Sequence, residues 1–501
     1  MISPLHQTAL NTPNAIAIKL TESSANYIGL NQNGAISYSQ LSIIVTNLVE
    51  SIQTQGVGPN SRIACISRNN LEMICLYWAC VDLGAIFLPI SSRFPTAQIT
   101  QLCQRFKVDF YWSESSLLKT YSNNNTTELE VKLTTASPVS LELNDIVLSH
   151  KPVNPPNIDK HRPLNIILTS GSSGAPKGVV HCLANHIASA VGSAKNIALK
   201  ENNSWLLSLP LFHIGGLAIV NRCTLAGACV VLSTEQALWQ QITTAKISHV
   251  SLVAAQLSQI LALHPQALDN VEALLLGGGT IEPHLVSALA DRHINAYCSY
   301  GMSEMSSQIT TALINPQGHL GKPLANRQLE IRDGTIWVKG ECLFLGYLTS
   351  DSSGESSESN KPSSLSKPTD AQGWFNTQDL GELDANGNLK LLGRADNMFI
   401  CGGENIHPEE IEAALKSHPQ IDNAIVFAQE DAKFSLLPAA IIQFTQPEQI
   451  LSPAIRDSLE QHVLNQIARF KRPRQYYPWP NDVVTTSLKV PRKAIIAAVT
   501  K

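Results

Sequence analysis

The stretch Leu168-Thr-Ser-Gly-Ser-Ser-Gly-Ala-Pro-Lys-Gly-Val-Val-His181 follows an apolar run, Asn165–Leu168, and opens into a loop of hydroxyls and glycines. The run reads as a buried strand, and a helix is expected after the loop. Glycines let backbone approach an anion closely, and amides and hydroxyls donate to phosphate oxygens. Lys177 adds a positive charge. The spacing is not that of a Walker A loop, because Lys177 precedes Gly178 and Val179 follows. A short Ser/Gly turn alone would be a generic turn. The full string is far more specific, and phosphate binding is its physical reading.

Outward from this loop, short Val/Ile/Leu-rich runs alternate with longer helical patterns, and no fixed-period repeat is visible. Strand-like runs are Ile63–Ile66, Asn165–Leu168, Ala228–Leu232 and Ala273–Leu276. The pattern predicts an α/β fold in several layers with largely buried sheets. Ser350–Asp370 breaks it: Leu365 is its only large apolar residue, so a flexible surface insertion is expected there. A strand-like run, Asn388–Leu392, then closes the large unit. The predicted division is 1–395 and 396–501, the second a small α+β domain by size and pattern. Its first helix is announced by Pro408-Glu409-Glu410-Ile411-Glu412, with proline at the first helical position and acids in the first turn.

Composition bounds the function class. The chain has 501 residues, 44% hydrophobic and 15% charged, enough to bury more than one core. Its 36 Lys+Arg against 40 Asp+Glu give a net charge of −4, so neither a nucleic-acid footprint nor a basic membrane surface is indicated. The ten cysteines include no Cys-x-x-Cys pair, and most lie in apolar runs such as Met73–Val81. They read as free thiols in a reducing compartment. No secretory signal or bilayer-length apolar run is seen, and a cytoplasmic protein without a membrane anchor is expected.

Thr169–Gly178 resembles the signature loop of the adenylate-forming enzymes, the superfamily of acyl-CoA synthetases, peptide-synthetase adenylation domains and luciferases. Further strings match in the same order: Leu209-Pro-Leu-Phe-His213, Leu276-Gly-Gly-Gly279, Tyr300-Gly-Met-Ser-Glu304, Gly373-Trp-Phe-Asn-Thr-Gln-Asp379, and Gly393-Arg-Ala-Asp396 through Gly402-Gly-Glu-Asn-Ile-His-Pro408. Each is weak alone; the ordered set spans essentially the whole chain. The resemblance implies a large N-terminal α/β domain with a small C-terminal lid, and the substrates ATP with Mg2+, a carboxylic acid, and CoA. Thr169, Ser170, Gly171, Ser172, Ser173, Gly174 and Lys177 would hold the β/γ-phosphates. Gly277, Gly278 and Gly279 would face the adenine, with Tyr300 and Gly301 on its other side. Ser303 would bond the α-phosphate and Glu304 hold magnesium. Asp379 and Arg394 would hold the ribose. Lys489 would bridge carboxylate and α-phosphate as charge develops there. Its setting, Leu488-Lys489, lacks the usual preceding glycine, as Gln378 replaces the usual glycine before Asp379, and Lys493 is a second candidate. Asp396 takes the hinge position of the lid, and Cys401, Gly402 and Gly403 the CoA tunnel.

Three strings speak to the acid: Leu209–Leu217, Ser251–Gln256 and Ile400–Glu410. They most resemble the branch that joins 2-succinylbenzoate to CoA in menaquinone (vitamin K2) biosynthesis. That acid has one carboxylate to activate and one on its aromatic ring. Arg222, inside the apolar helical stretch Leu217–Leu225, is the candidate cation for the ring carboxylate, with a snorkelling surface arginine as the alternative. His213 would sit beside the acyl site. Another acyl- or aryl-CoA synthetase, a domain loading a carrier protein, and a non-catalytic nucleotide-binding homologue stay open. Similar ligases are often homo-oligomers.

Overall fold

The structure is a computed structural model. It describes residues 1–20, 34–114, 139–141, 143, 153–169, 176–277, 283–348, 365–395, 397–401, 404–431, 435–467, 469–480 and 490–500. Among them, two large sheets dominate. One has nine strands, with His249–Leu252, Ala273–Leu276 and Cys229–Leu232 in its interior. These strands are parallel to their interior neighbours and buried at every position, which is why they read as unbroken apolar runs. The other has eight strands, with Pro163–Thr169, Ile86–Ser91 and Arg62–Ser67 side by side.

The helix Leu71–Leu83 is apolar on every side and buried almost throughout. Asn70 caps it by accepting from the Met73 amide at 2.9 Å, and Gly84, at φ +80°, ends it. One continuous core runs from Ile63, Cys65 and Phe87 of the eight-stranded sheet through this helix. It continues to Trp205, Leu207 and Val230 of the nine-stranded sheet. A four-stranded sheet, Arg327–Arg332, Thr335–Gly340, Phe375–Leu383 and Leu389–Arg394, follows in sequence.

The chain then forms a small domain with its own core. Ile421–Asp431, Ser435–Phe444 and Gln475–Pro478 make its three-stranded sheet. The helix Pro408–Lys416 starts at the expected proline and lays Ile411 and Leu415 onto that sheet. The α/β architecture with a large N-terminal and a small C-terminal domain is as expected. No helix among the described residues is long and apolar enough to cross a membrane.

Two expectations are corrected. The segment after the phosphate loop is not a helix but the strand Lys177–Cys182, antiparallel to Pro163–Thr169 with Thr169 opposite Lys177. Val179, Val180 and Cys182 are buried, and the strand pairs with Gly346–Leu348 on its other edge. The helix Leu183–Ala194 begins only afterwards. The strands before and after the loop are therefore paired antiparallel, and no helix follows it directly. The Ser-rich insertion also ends earlier than Asp370: Leu365–Ser366 pairs with Gly346–Leu348. Asp370 bonds Arg332 at 2.6 Å and accepts from the Gln372 and Trp374 amides. Residues 349–364 of it lie outside the described residues.

Candidate active site

Thr169 and Lys177 stand opposite each other at the base of the hairpin, and Ser170, Gly171, Ser172, Ser173 and Gly174 lie outside the described residues. Because Gly346–Leu348 pairs with this strand, Tyr347 comes under Lys177, whose Nζ is 5.1 Å from the ring centre. The Tyr347 hydroxyl donates to Glu304 Oε1 at 2.7 Å. Burial and the neighbouring Glu304 push this phenol well above its ordinary range, so it remains a donor. Glu304 itself is buried in a 3-10 turn, Ser303–Met305, between two antiparallel strands. The sequence thus brings the motif lysine, the motif glutamate and an unforeseen tyrosine into one cluster.

The second cluster lies where Asp379 faces Arg394 across two paired strands. Arg394 donates to Asp379 Oδ1 at 2.9 Å and to the Thr377 carbonyl at 3.1 Å. Tyr300 donates to Asp379 Oδ2 at 2.6 Å, and burial with Asp379 beside it keeps this phenol protonated. These two bonds orient the Asp379 carboxylate. Gln378, next to it, has φ +62°, in the left-handed region where glycine is at ease. Gly301 is required by packing, since a Cβ there would lie 2.0 Å from the Ser307 carbonyl.

Arg222 does not snorkel. It is 5% exposed, in the helix Ile214–Ala226. It donates to Gln308 Oε1 at 2.7 Å and Ser307 Oγ at 3.2 Å, and lies 5.4 Å from the Trp205 ring centre. Its Nε has no partner among the described residues. Burial, with the neighbouring Arg327 adding repulsion, pushes the guanidinium down to about 10, so it is still a cation at neutral pH. His213 is the residue before that helix, half-buried, with Phe212 edge-on at 4.8 Å. The strand Ser307–Leu313, whose first two residues bond Arg222, follows the Glu304 turn after Ser306, and Ser306 and Ser307 adopt φ +52° and +111° there. Strain of this kind persists where surrounding contacts hold it.

Gly277 is exposed at a strand end, while Gly278, Gly279, Asp396, Gly402, Gly403 and Lys489 lie outside the described residues. Cys401 points into the small domain's core beside Phe399 and Ile406, and burial raises its thiol. Its side chain packs in that core. Lys493 is exposed on the last helix, Arg492–Val499. Arg492 ties that helix down by bonding Glu412 and the Val426 carbonyl. Tyr347, Gln308 and Trp205 escaped the sequence reading. Each belongs to an ordinary strand pattern, and its meaning depends on which strands pair.

The AMP-binding enzyme family matches residues 5–348, and the AMP-binding enzyme C-terminal domain matches residues 410–489. The chain belongs to the AMP-binding enzyme family. Several of its relatives within that family share one name. It is 32% identical over 467 residues to the 2-succinylbenzoate–CoA ligase of Haemophilus influenzae, covering 93% of each chain. It is 29% identical to that of Salmonella typhimurium, covering 92% of each. The o-succinylbenzoate coenzyme A synthetase of Bacillus subtilis in complex with ATP and magnesium ion superposes with a TM-score of 0.82 at 25% identity, over 99% of both chains. The same enzyme with its acyl-adenylate intermediate gives 0.81 at 26% identity, over 98% of this chain and 97% of that one.

Proposed function

We propose that the chain is an acid–thiol ligase that activates 2-succinylbenzoate with ATP and transfers it to CoA, a step of menaquinone biosynthesis. The succinyl carboxylate attacks the α-phosphorus of ATP and pyrophosphate leaves. The CoA thiol then attacks the acyl carbon of the adenylate, AMP leaves, and the thioester forms. The shared name of the relatives supports the reaction.

The observation that carries the choice of acid is Arg222. Its described hydrogen-bond partners are all neutral, and one buried N–H has none. Holding an arginine there is costly unless an anion completes the site. A carboxylate fixed on an aromatic ring is the complement, since a guanidinium can grip it with two parallel bonds.

The other assignments follow the clusters. Lys177 and the hairpin amides take the β/γ-phosphates, and Ser303 the α-phosphate. Asp379, oriented by Tyr300 and Arg394, accepts from the ribose hydroxyls. Glu304 supplies a hard carboxylate oxygen and would hold magnesium together with the triphosphate. When bound, magnesium neutralises charge on the phosphate oxygens. Lys489 stabilises the negative charge built up during attack. Residues 396–501 serve as the lid, turning at Asp396, with Gly402 and Gly403 beside the thiol arm of CoA.

The test is pyrophosphate release from ATP over a panel of carboxylic acids, with and without CoA. Release is expected with 2-succinylbenzoate alone, and thioester only when CoA is added. Release with another acid in its place would make the chain a different synthetase of the family. No release with any acid would make it a non-catalytic member.

A further inference from the structure

Three buried polar side chains tie the phosphate hairpin to the turn that carries Glu304. His181 Nε2 lies 2.7 Å from the Ser303 carbonyl oxygen. Its Nδ1 lies 3.1 Å from Asn165 Nδ2, and Asn165 Oδ1 lies 2.7 Å from His186 Nε2. Asn165 and His181 are register partners on the two strands of the hairpin, and His186 is on the helix that follows. All three are at most 1% exposed.

The chemistry gives this chain of bonds one direction. A carbonyl only accepts, so His181 Nε2 carries the proton and Nδ1 accepts. Asn165 must then present its amide N–H to Nδ1 and its oxygen to His186 Nε2–H. With both rings neutral, no other arrangement satisfies every link. Burial keeps them neutral, pushing His181 down to about 4 and His186 well below its ordinary value.

The surroundings fit that state. His181 faces Asn165, the Ser303 carbonyl and the His186 ring at 5.2 Å. His186 also faces the edge of Tyr77, whose hydroxyl is spent on Asn221. Of the charged groups on the elements packed around them, Glu304 turns to Tyr347, Lys177 stands four residues before His181 on the same strand, and Arg327 donates to Ser189 on the helix of His186. Among the described residues neither imidazole bonds a carboxylate.

We propose that His181, oriented by Asn165 and His186, is a positioning residue that sets the Ser303–Glu304 turn against MgATP. The proposal rests on the assignment of Glu304 made above. It couples the hairpin to the turn through one N–H donor, so that the two halves of the nucleotide site keep register.

Asn165→Asp tests it. The aspartate has the same shape but no N–H. The network closes again only when one extra proton is bound, on the carboxyl or on His181. Without it, either two lone pairs meet at Nδ1, or Nδ1 takes the proton and Nε2 turns a lone pair on the Ser303 carbonyl. The KM for MgATP of Asn165→Asp should therefore lie near wild type at pH 6 and rise about tenfold by pH 9. Its KM for the acid should stay level, and wild type should lack this limb. A variant that follows wild type across this range, or is impaired equally at every pH, overturns the proposal. If Asn165→Asp does not fold, His181→Gln and His181→Leu decide on the same readout. Glutamine keeps a donor at the Nε2 position and should hold the KM for MgATP near wild type, whereas leucine should raise it. Equal values for the two overturn the proposal. Glu304→Gln is the control: if it leaves the KM for MgATP and the magnesium dependence unmoved, the underlying assignment of the turn fails, separately from the relay.

Discussion

Arg222 was conspicuous in the sequence because a cation inside Leu217–Leu225 violates the apolar pattern around it. Its neighbours were not. Gln308 and Ser307 sit in a strand of mixed polarity, and Trp205 in an apolar run, so nothing in their own segments marks them as partners of an arginine. The structure joins them because Ser307–Leu313 and Ile214–Ala226 pack together. Replacing Arg222 by leucine removes charge-assisted hydrogen bonds of about 1.5–3 kcal/mol, a factor of roughly 10–150. The KM for 2-succinylbenzoate should rise by that factor in steady-state kinetics, with the KM for ATP unchanged. A parallel loss of ATP affinity would move Arg222 out of the acid pocket.

Elements explain what single residues do not. The hydroxyls and glycines of Thr169–Gly178 read as a phosphate loop with a helix on its far side. Val179-Val180-His181-Cys182 is instead a buried middle strand, and its role as a platform for His181 depends on one neighbour close in sequence, Pro163–Thr169, and one distant from it, Gly346–Leu348. Burial of a neutral histidine leaves a mark on stability. His181 titrates lower in the fold than in the unfolded chain, so between about pH 6.5 and 4 the unfolded state binds a proton that the fold refuses. Stability falls as pH falls through that window. His181→Gln should flatten the slope by up to about 1.4 kcal/mol per pH unit in urea titrations; an unchanged slope would mean that His181 is protonated in the fold. The strand Phe375–Leu383 carries another readable cost. Gln378 holds φ +62° where glycine would be unstrained. Gln378→Gly should stabilise the protein by about 1 kcal/mol in the same titration, and a loss of stability would show that the glutamine side chain supports the bend.

In the molecule as a whole, placed single charges do the work that a basic surface does elsewhere. The net charge is only −4, yet Lys177, Arg222 and Arg394 stand at three separate clusters: Lys177 over the Tyr347 ring, Arg222 among neutral acceptors and the Trp205 ring, and Arg394 on the Asp379 carboxylate. The ten cysteines are all buried and free, with Cys103 and Cys229 pushed up to about 12 by burial, so their thiols pack as small apolar groups. The fold class and the two-domain plan were legible because long apolar periodicities dictate them. The geometry joining the acid pocket to the nucleotide turn was not, because it runs through Ser306 and Ser307, whose left-handed backbone no local pattern announces. With Arg222 assigned to the ring carboxylate as proposed, the enzyme would read two carboxylates. The measurement to make is the rate of ATP-dependent pyrophosphate release with 2-succinylbenzoate and with 4-oxo-4-phenylbutanoate, the same acid without its ring carboxylate. A site built around Arg222 should favour the dicarboxylate by about 10–150-fold in kcat/KM. Equal rates with the two acids, or none with either, would contradict it.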